Sequence, residues 1–241
     1  MQVEVLVFEG CPHAGEAMAR VREVVGHLAP GTSVDRVEVD TPEKAAALGF
    51  LGSPSVRING EDIERRSTSR GSLCCRTYAG KGVPPEWMVE AAVLRALKPE
   101  GILFLCVANS ARSQMAEGIA RSLAPAHVRV WSAGSRPTRV RPEAVAVLSE
   151  IGVDISGHRS KTVSEIESEK IDTIITLCAE EECPVFAGRA RRLHWSLPDP
   201  GAVRGTEGER LAAFRHTRDE LRFRLGHLFG ESRGEAPDPR K

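Results

Sequence analysis

"GILFLCVANSARSQMAEG", residues 101–118, decides how the second half of this chain folds. The run "GILFLC" is short and apolar, the pattern of a buried strand. An amphipathic helix follows over 113–124. Between them lie Cys106, Val107, Ala108, Asn109, Ser110, Ala111 and Arg112. A loop set between a strand and a helix can turn its N–H groups onto one point. The helix adds its own unsatisfied N–H groups and the positive end of its dipole. The product is a cradle for a tetrahedral oxyanion. Arg112 would clamp two of the oxygens with its planar fork. Helix N-termini also favour the anionic form of a nearby thiol. A thiolate beneath a bound oxyanion is a nucleophile aimed at its central atom. Ser113 can donate a hydrogen bond to that sulfur. The plain alternative is a buried cysteine at a strand end. The spacing C-x5-R leaves it open, and the strand–loop–helix context weighs against it.

Outward from this stretch, strands and helices alternate. The first half reads as strands at 3–8, 33–39 and 54–58. Helices are expected at 15–28 and 42–48, with another opened by Pro84 and Pro85, residues suited to a first turn. The second half adds strands at 128–134, 172–178 and 191–195 and helices at 142–151 and 207–229. This alternation predicts α/β architecture in both halves. Pro99 and Gly101 mark a boundary. The expected division is a domain over 1–97, a linker over 98–101, a second domain over 102–231 and a disordered tail over 232–241.

With 241 residues, the chain exceeds one ordinary domain. Its 33 basic and 33 acidic residues balance, which gives no pull toward nucleic acid or an anionic membrane. No apolar run approaches a membrane span, and no signal-like segment precedes the first strand. A cytoplasmic location is expected. Six cysteines in that setting point to catalysis, redox exchange or soft-metal binding, beside plain burial, rather than to a disulfide framework.

"CVANSARSQMAEG" closely resembles the phosphate-binding loop of low-molecular-weight tyrosine phosphatases. It is still more similar to the thioredoxin-coupled arsenate reductases built on that fold. "SAG" (132–134), "GVDISGHRSK" (152–161), "TLCAEEECP" (176–184) and "LHWSLPDP" (193–200) extend the resemblance over about residues 101–231. It implies a four-stranded parallel sheet with helices on both faces. It also implies arsenate as substrate, a thiol–disulfide relay and no bound cofactor. Electrons would come from thioredoxin, glutaredoxin or a small thiol. Cys106 would attack arsenic while Asp199 protonates the departing oxygen. Cys178 would then attack Cys106, and Cys183 would attack Cys178.

Two other readings stay open: a thiol-based arsenite- or mercury-binding module joined to a decayed phosphatase, and a hydrolytic phosphatase. A hydrolytic phosphatase needs one cysteine and water, and would carry a redox-sensitive pair in Cys178 and Cys183. Against it, Gly201 and Ala202 follow the Asp-Pro where such phosphatases carry tyrosines, and Tyr78 is the sole tyrosine. Cys178 could also be a plain strand residue, and Asp199 an ordinary turn aspartate. The loop from Cys178 to Cys183 is shorter than in the best-known reductases. Some relatives hold potassium near the loop, and Asn109, Glu117 and Ser132 match its ligands. Lys161 stands where an acidic ligand would be, so its ammonium could replace the ion. No metal is therefore expected.

The first half resembles a thioredoxin fold. "FEGCPHAGEA" sets Cys11 between a strand and a helix, and Pro54 precedes a strand as a cis-proline would. Ala14 stands where the second cysteine of C-x-x-C belongs. Cys74 and Cys75 could partner Cys11, or the three could hold arsenite, mercury or another soft metal. A decayed binding or stabilising domain is the alternative.

Overall fold

A computed structural model describes residues 1–66, 71–179 and 189–230. The chain divides into two compact units, Met1–Lys98 and Pro99–Lys241. The expected tail, and Cys183 with the rest of 180–188, lie outside the described residues.

The first unit contains β1 (Val3–Val7), α1 (Ala14–Leu28), β2 (Val34–Glu38), α2 (Pro42–Ala47), β3 (Ser55–Ile58), β4 (Glu61–Asp62) and α3 (Glu86–Leu97). Its sheet order is β2-β1-β3-β4. β1 runs parallel to β2 and antiparallel to β3, which is antiparallel to β4. In α1, Ala14, Ala17, Met18, Val21, Val24, Val25 and Leu28 recur at three- and four-residue spacing, so one face is apolar. That helix packs against α3. Near α2, Leu6, Val39, Ala45 and Phe50 form a separate buried cluster. The alternation of apolar residues did not reveal β4, which is polar. Its signal was the turn: Asn59 and Gly60 both have positive φ, 52° and 80°, and Ile58 pairs with Glu61 across them. An Asn-Gly pair suits such a two-residue hairpin.

The second unit contains β5 (Gly101–Cys106), α4 (Arg112–Leu123), β6 (Arg129–Gly134), α5 (Pro142–Ser149), β7 (Thr173–Thr176), β8 (Arg191–His194) and α6 (Glu207–Phe229). All four strands are parallel, in the order β6-β5-β7-β8. Every residue of β5 is buried, as a central strand covered on both faces requires. From β5 the chain moves first to β6 on one side and later to β7 on the other. The carboxyl end of β5 is thus the switch point where open parallel sheets bind ligands.

Three details differ from expectation. Gly101 is the first residue of β5 and not part of a linker. A Cβ there would lie 1.8 Å from the Lys170 carbonyl oxygen, so glycine serves close packing. Arg112 belongs to the first turn of α4, so its side chain starts from a rigid element. The cover of the sheet is also uneven. α4, α5 and α6 pack on one another. Leu103, Leu105, Ala133 and Ile174 meet Ile166 and Ile171. Those two isoleucines flank short 3-10 turns at Val163–Glu165 and Ser168–Lys170. Among the described residues, that face is closed by 3-10 turns instead of α-helix. No helix among them is long and apolar enough to cross a membrane.

Candidate active site

The loop leaving β5 is held from outside. Val107, Ala108 and Ser110 offer their carbonyls to the N–H groups of Arg136, Thr138 and Arg141 at 2.9, 3.0 and 2.9 Å. The Asn109 carbonyl accepts from Ser160 Oγ at 2.7 Å and Gln114 Nε2 at 3.2 Å. With the carbonyls occupied outside, the loop N–H groups turn inward. Those of Val107, Ala108, Ser110 and Ala111 meet no protein acceptor among the described residues. Gly134 makes the close approach possible, because a Cβ there would fall 2.4 Å from the Val107 oxygen.

Cys106 is buried at the base of the loop, its Sγ 2.9 Å from Ser113 Oγ. Asn109 adopts φ of 44°, and its buried amide ties the loop together. Nδ2 donates to Ser113 Oγ and Ser132 Oγ, both at 2.8 Å. Oδ1 accepts from Gln114 Nε2 at 2.9 Å and from the Lys161 N–H at 2.8 Å.

Arg112 is 4% exposed. Its Nη1 donates to the carbonyls of Leu197 at 3.0 Å and Leu177 at 3.4 Å. Its Nη2 lies 3.7 Å from Asp199 Oδ1. Asp199 caps a 3-10 turn, accepting the Gly201 N–H at 3.1 Å, and its side chain remains 39% exposed. Leu177 continues the β5–β7 pairing by donating to Leu105 at 2.9 Å, and buried Cys178 follows. Cys106 and Cys178 therefore leave the carboxyl ends of neighbouring strands. Such a loop can hold a tetrahedral oxyanion over the Cys106 thiol, with the Asp199 carboxyl group near the Arg112 guanidinium.

Behind the loop lies a charged cluster. Glu117, 1% exposed, accepts from Lys161 Nζ at 3.1 Å and Arg121 Nη2 at 2.6 Å, and from Ser132 Oγ. The ammonium of Lys161 thus already engages the carboxylate that a monovalent cation would need, and these residues do not fit a bound potassium ion. Gln114 and His158 extend the cluster, with Nδ1 2.9 Å from Oε1. Burial pushes the His158 imidazole below its ordinary pKa, although Glu117 opposes this. Neither residue was evident from sequence, since no spacing rule announces a loop buttress.

In the first unit, Cys11 is buried and Cys74 and Cys75 are exposed. The Ser53–Pro54 bond is cis. Ser53 donates its N–H to the Cys74 carbonyl at 2.8 Å and accepts from the Arg76 N–H at 2.9 Å, so the Cys75 segment runs beside Pro54. Arg76 anchors that segment through Asp62 at 2.6 and 2.8 Å and Glu64 at 2.7 Å. It also stacks 4.5 Å from the Tyr78 ring. Burial would lower the Arg76 pKa, but its carboxylate partners outweigh that and raise it. Tyr78 is buried, with its hydroxyl on the Pro54 carbonyl at 3.0 Å, and so lines no substrate cleft. Among the described residues, no three His, Cys, Asp or Glu side chains gather to hold a metal ion.

Residues 101–236 match the family described as low molecular weight phosphotyrosine protein phosphatase. An arsenate reductase from Halalkalibacterium halodurans is 41% identical over 126 residues, 52% of this chain and 91% of the relative. One from Bacillus subtilis is 40% identical over the same shares. A crystal structure of arsenate reductase from Archaeoglobus fulgidus is similar at 28% identity and a TM-score of 0.47. That match covers 54% of this chain and 99% of that one.

Proposed function

The chain belongs, through residues 101–236, to the low molecular weight phosphotyrosine protein phosphatase family, and on that premise we propose that it reduces arsenate to arsenite by a thiol–disulfide relay. One observation supports reduction over hydrolysis most strongly: buried Cys178 lies two residues past the end of β7, the strand paired with the one that carries Cys106. Phosphoester hydrolysis has no use for a second thiol there. The extent of identity to arsenate reductases points the same way.

In this reading the N–H groups of residues 107–112 and the Arg112 guanidinium hold arsenate. The Cys106 thiolate forms a bond to arsenic as one As–O bond breaks. Asp199 gives its proton to the departing oxygen, which leaves as water. The Cys178 thiolate then attacks Cys106 Sγ. The S–As electron pair stays on arsenic, which becomes arsenite, and a Cys106–Cys178 disulfide remains. Cys183 attacks Cys178 and frees Cys106. The two electrons that arsenic gained return from an external dithiol of the thioredoxin or glutaredoxin kind, or from a small thiol. A reducing compartment such as the cytoplasm suits this chemistry. The protein needs no prosthetic group for any of these steps.

The first unit is read as a thioredoxin-like domain, on its mixed sheet and on Pro54 beside the Cys75 segment. Cys11 with Cys75 or Cys74 would serve as its redox thiols. The decisive assay is arsenate-dependent NADPH oxidation with thioredoxin and glutaredoxin systems, run beside aryl-phosphate hydrolysis. Hydrolysis without arsenate turnover would replace this reading with a phosphatase. In the full chain, Cys11→Ser should slow turnover at limiting reductant. An unchanged rate would leave the first unit a structural or binding domain.

A further inference from the structure

The turn that carries Asp199 packs against α6. A cavity of about 150 Å³ lies there, lined by Arg141, Pro200, Gly201, Val203 and Arg204, with Phe214 also on its wall. One residue spans from the oxyanion loop, through its backbone, to this turn, through its side chain. Arg141 caps α5, and its backbone N–H holds the Ser110 carbonyl at 2.9 Å. Its Nη2 donates to the Gly201 carbonyl at 2.8 Å. Gly201 in turn donates its N–H to Asp199 Oδ1 at 3.1 Å. The guanidinium also needs the glycine, because a Cβ at Gly201 would lie 2.7 Å from Arg141 Nη2. At the other end of the segment, Arg112 holds the Leu197 carbonyl at 3.0 Å. The Asp199 turn is thus tied at both ends, by Arg112 from beneath the anion site and by Arg141 from its rim.

The geometry points to Arg141 as a positioning residue that sets Asp199 against the anion held by residues 107–112. This rests on the reading of Asp199 as the proton donor. Arg141 touches neither the anion nor the thiol. It acts by keeping one wall of the cradle and the acid-bearing turn at a fixed separation. A general acid contributes about 10²–10⁴-fold, and small displacements forfeit much of such an effect.

The test uses the reduced full chain in excess over arsenate, with the single-turnover rate of arsenite release as readout. Inorganic phosphate competes in the same assay and reports the cradle. Arg141→Ala should slow release on the order of tenfold, while the phosphate inhibition constant stays within about twofold. Arg141→Lys should recover part of the loss. Gly201→Ala, which displaces the guanidinium from the other side, should act like Arg141→Ala. Arg204→Ala removes a charge from the same cavity without a bond to the turn, and should leave the rate unchanged. Adding Arg141→Ala to Asp199→Asn should cost nothing further. Full additivity, an unchanged Arg141→Ala rate or a weakened phosphate constant would each overturn the assignment while Asp199 keeps its role. An Asp199→Asn chain with the wild-type rate would overturn the acid assignment, and the role of Arg141 with it.

Discussion

Replacing Lys161 by Met tests what holds the oxyanion loop from behind. Glu117 is 1% exposed and has two cationic partners, Lys161 at 3.1 Å and Arg121 at 2.6 Å. Arg121 is 51% exposed, so solvent screens its contribution, and Lys161 is the better-shielded partner. Removing one partner of a fully buried pair costs about 3–5 kcal/mol, because a charge is left uncompensated. Here Arg121 and Ser132 still serve the carboxylate. The loss should be nearer that of one charge-assisted hydrogen bond, about 2 kcal/mol. The damage should reach the site through Ser132, which also accepts from Asn109. The assay is urea unfolding of the full chain, followed by signals from each unit separately, since two units need not unfold as one. The second unit should lose about 2 kcal/mol and the first should not change. Potassium at high concentration should return part of the loss, because a small cation can enter the space vacated by the ammonium and stabilise only the folded state. The double variant Lys161→Met with Glu117→Gln should cost less than the sum of the two single changes. A Lys161→Met chain within 0.5 kcal/mol of wild type (roughly the scatter of a neutral surface change), with no response to potassium, would refute the reasoning.

Other changes probe the relay and the frame. Cys106→Ser should abolish arsenate reduction and any phosphate-ester hydrolysis, since a hydroxyl is not ionised at neutral pH; substantial residual turnover of either would mean another nucleophile. Cys183→Ser should release one arsenite and stop with Cys106 joined to Cys178, while Cys178→Ser should block even that; mass mapping that found the trapped bond elsewhere would overturn the order. The hydrogen bond from Arg215 on α6 pulls the Glu150 carboxyl down most, loss of solvent opposes it, and Arg218 adds to the pull, which leaves the group at about 2. Because the folded value is the lower one, the tie is complete above the ordinary carboxylate range and is lost as pH falls toward 2. Glu150→Gln should therefore flatten acid unfolding of the second unit in that window, and an unchanged acid transition would show that the tie contributes nothing.

Local chemistry made much of this protein legible in one dimension. "GILFLC" has the pattern of a buried strand, and the run from Cys106 to Arg112 between it and a helix reads as an oxyanion loop. These features depend on neighbours in sequence: apolar runs, the spacing of a thiol from an arginine and the free N–H groups at a helix start. β4 was written there too, in Asn59-Gly60, but in turn chemistry instead of alternation. What only the tertiary structure decided comes from residues distant in the chain. The 3-10 cover over Leu103 and Leu105 and the Gln114–His158 buttress each join separate segments. So do Arg141 with Gly201 and Arg76 with Asp62. Such contacts are selected by the packing of one segment on another. A side chain that reaches across a fold leaves no period or spacing in the sequence by which to find its partner.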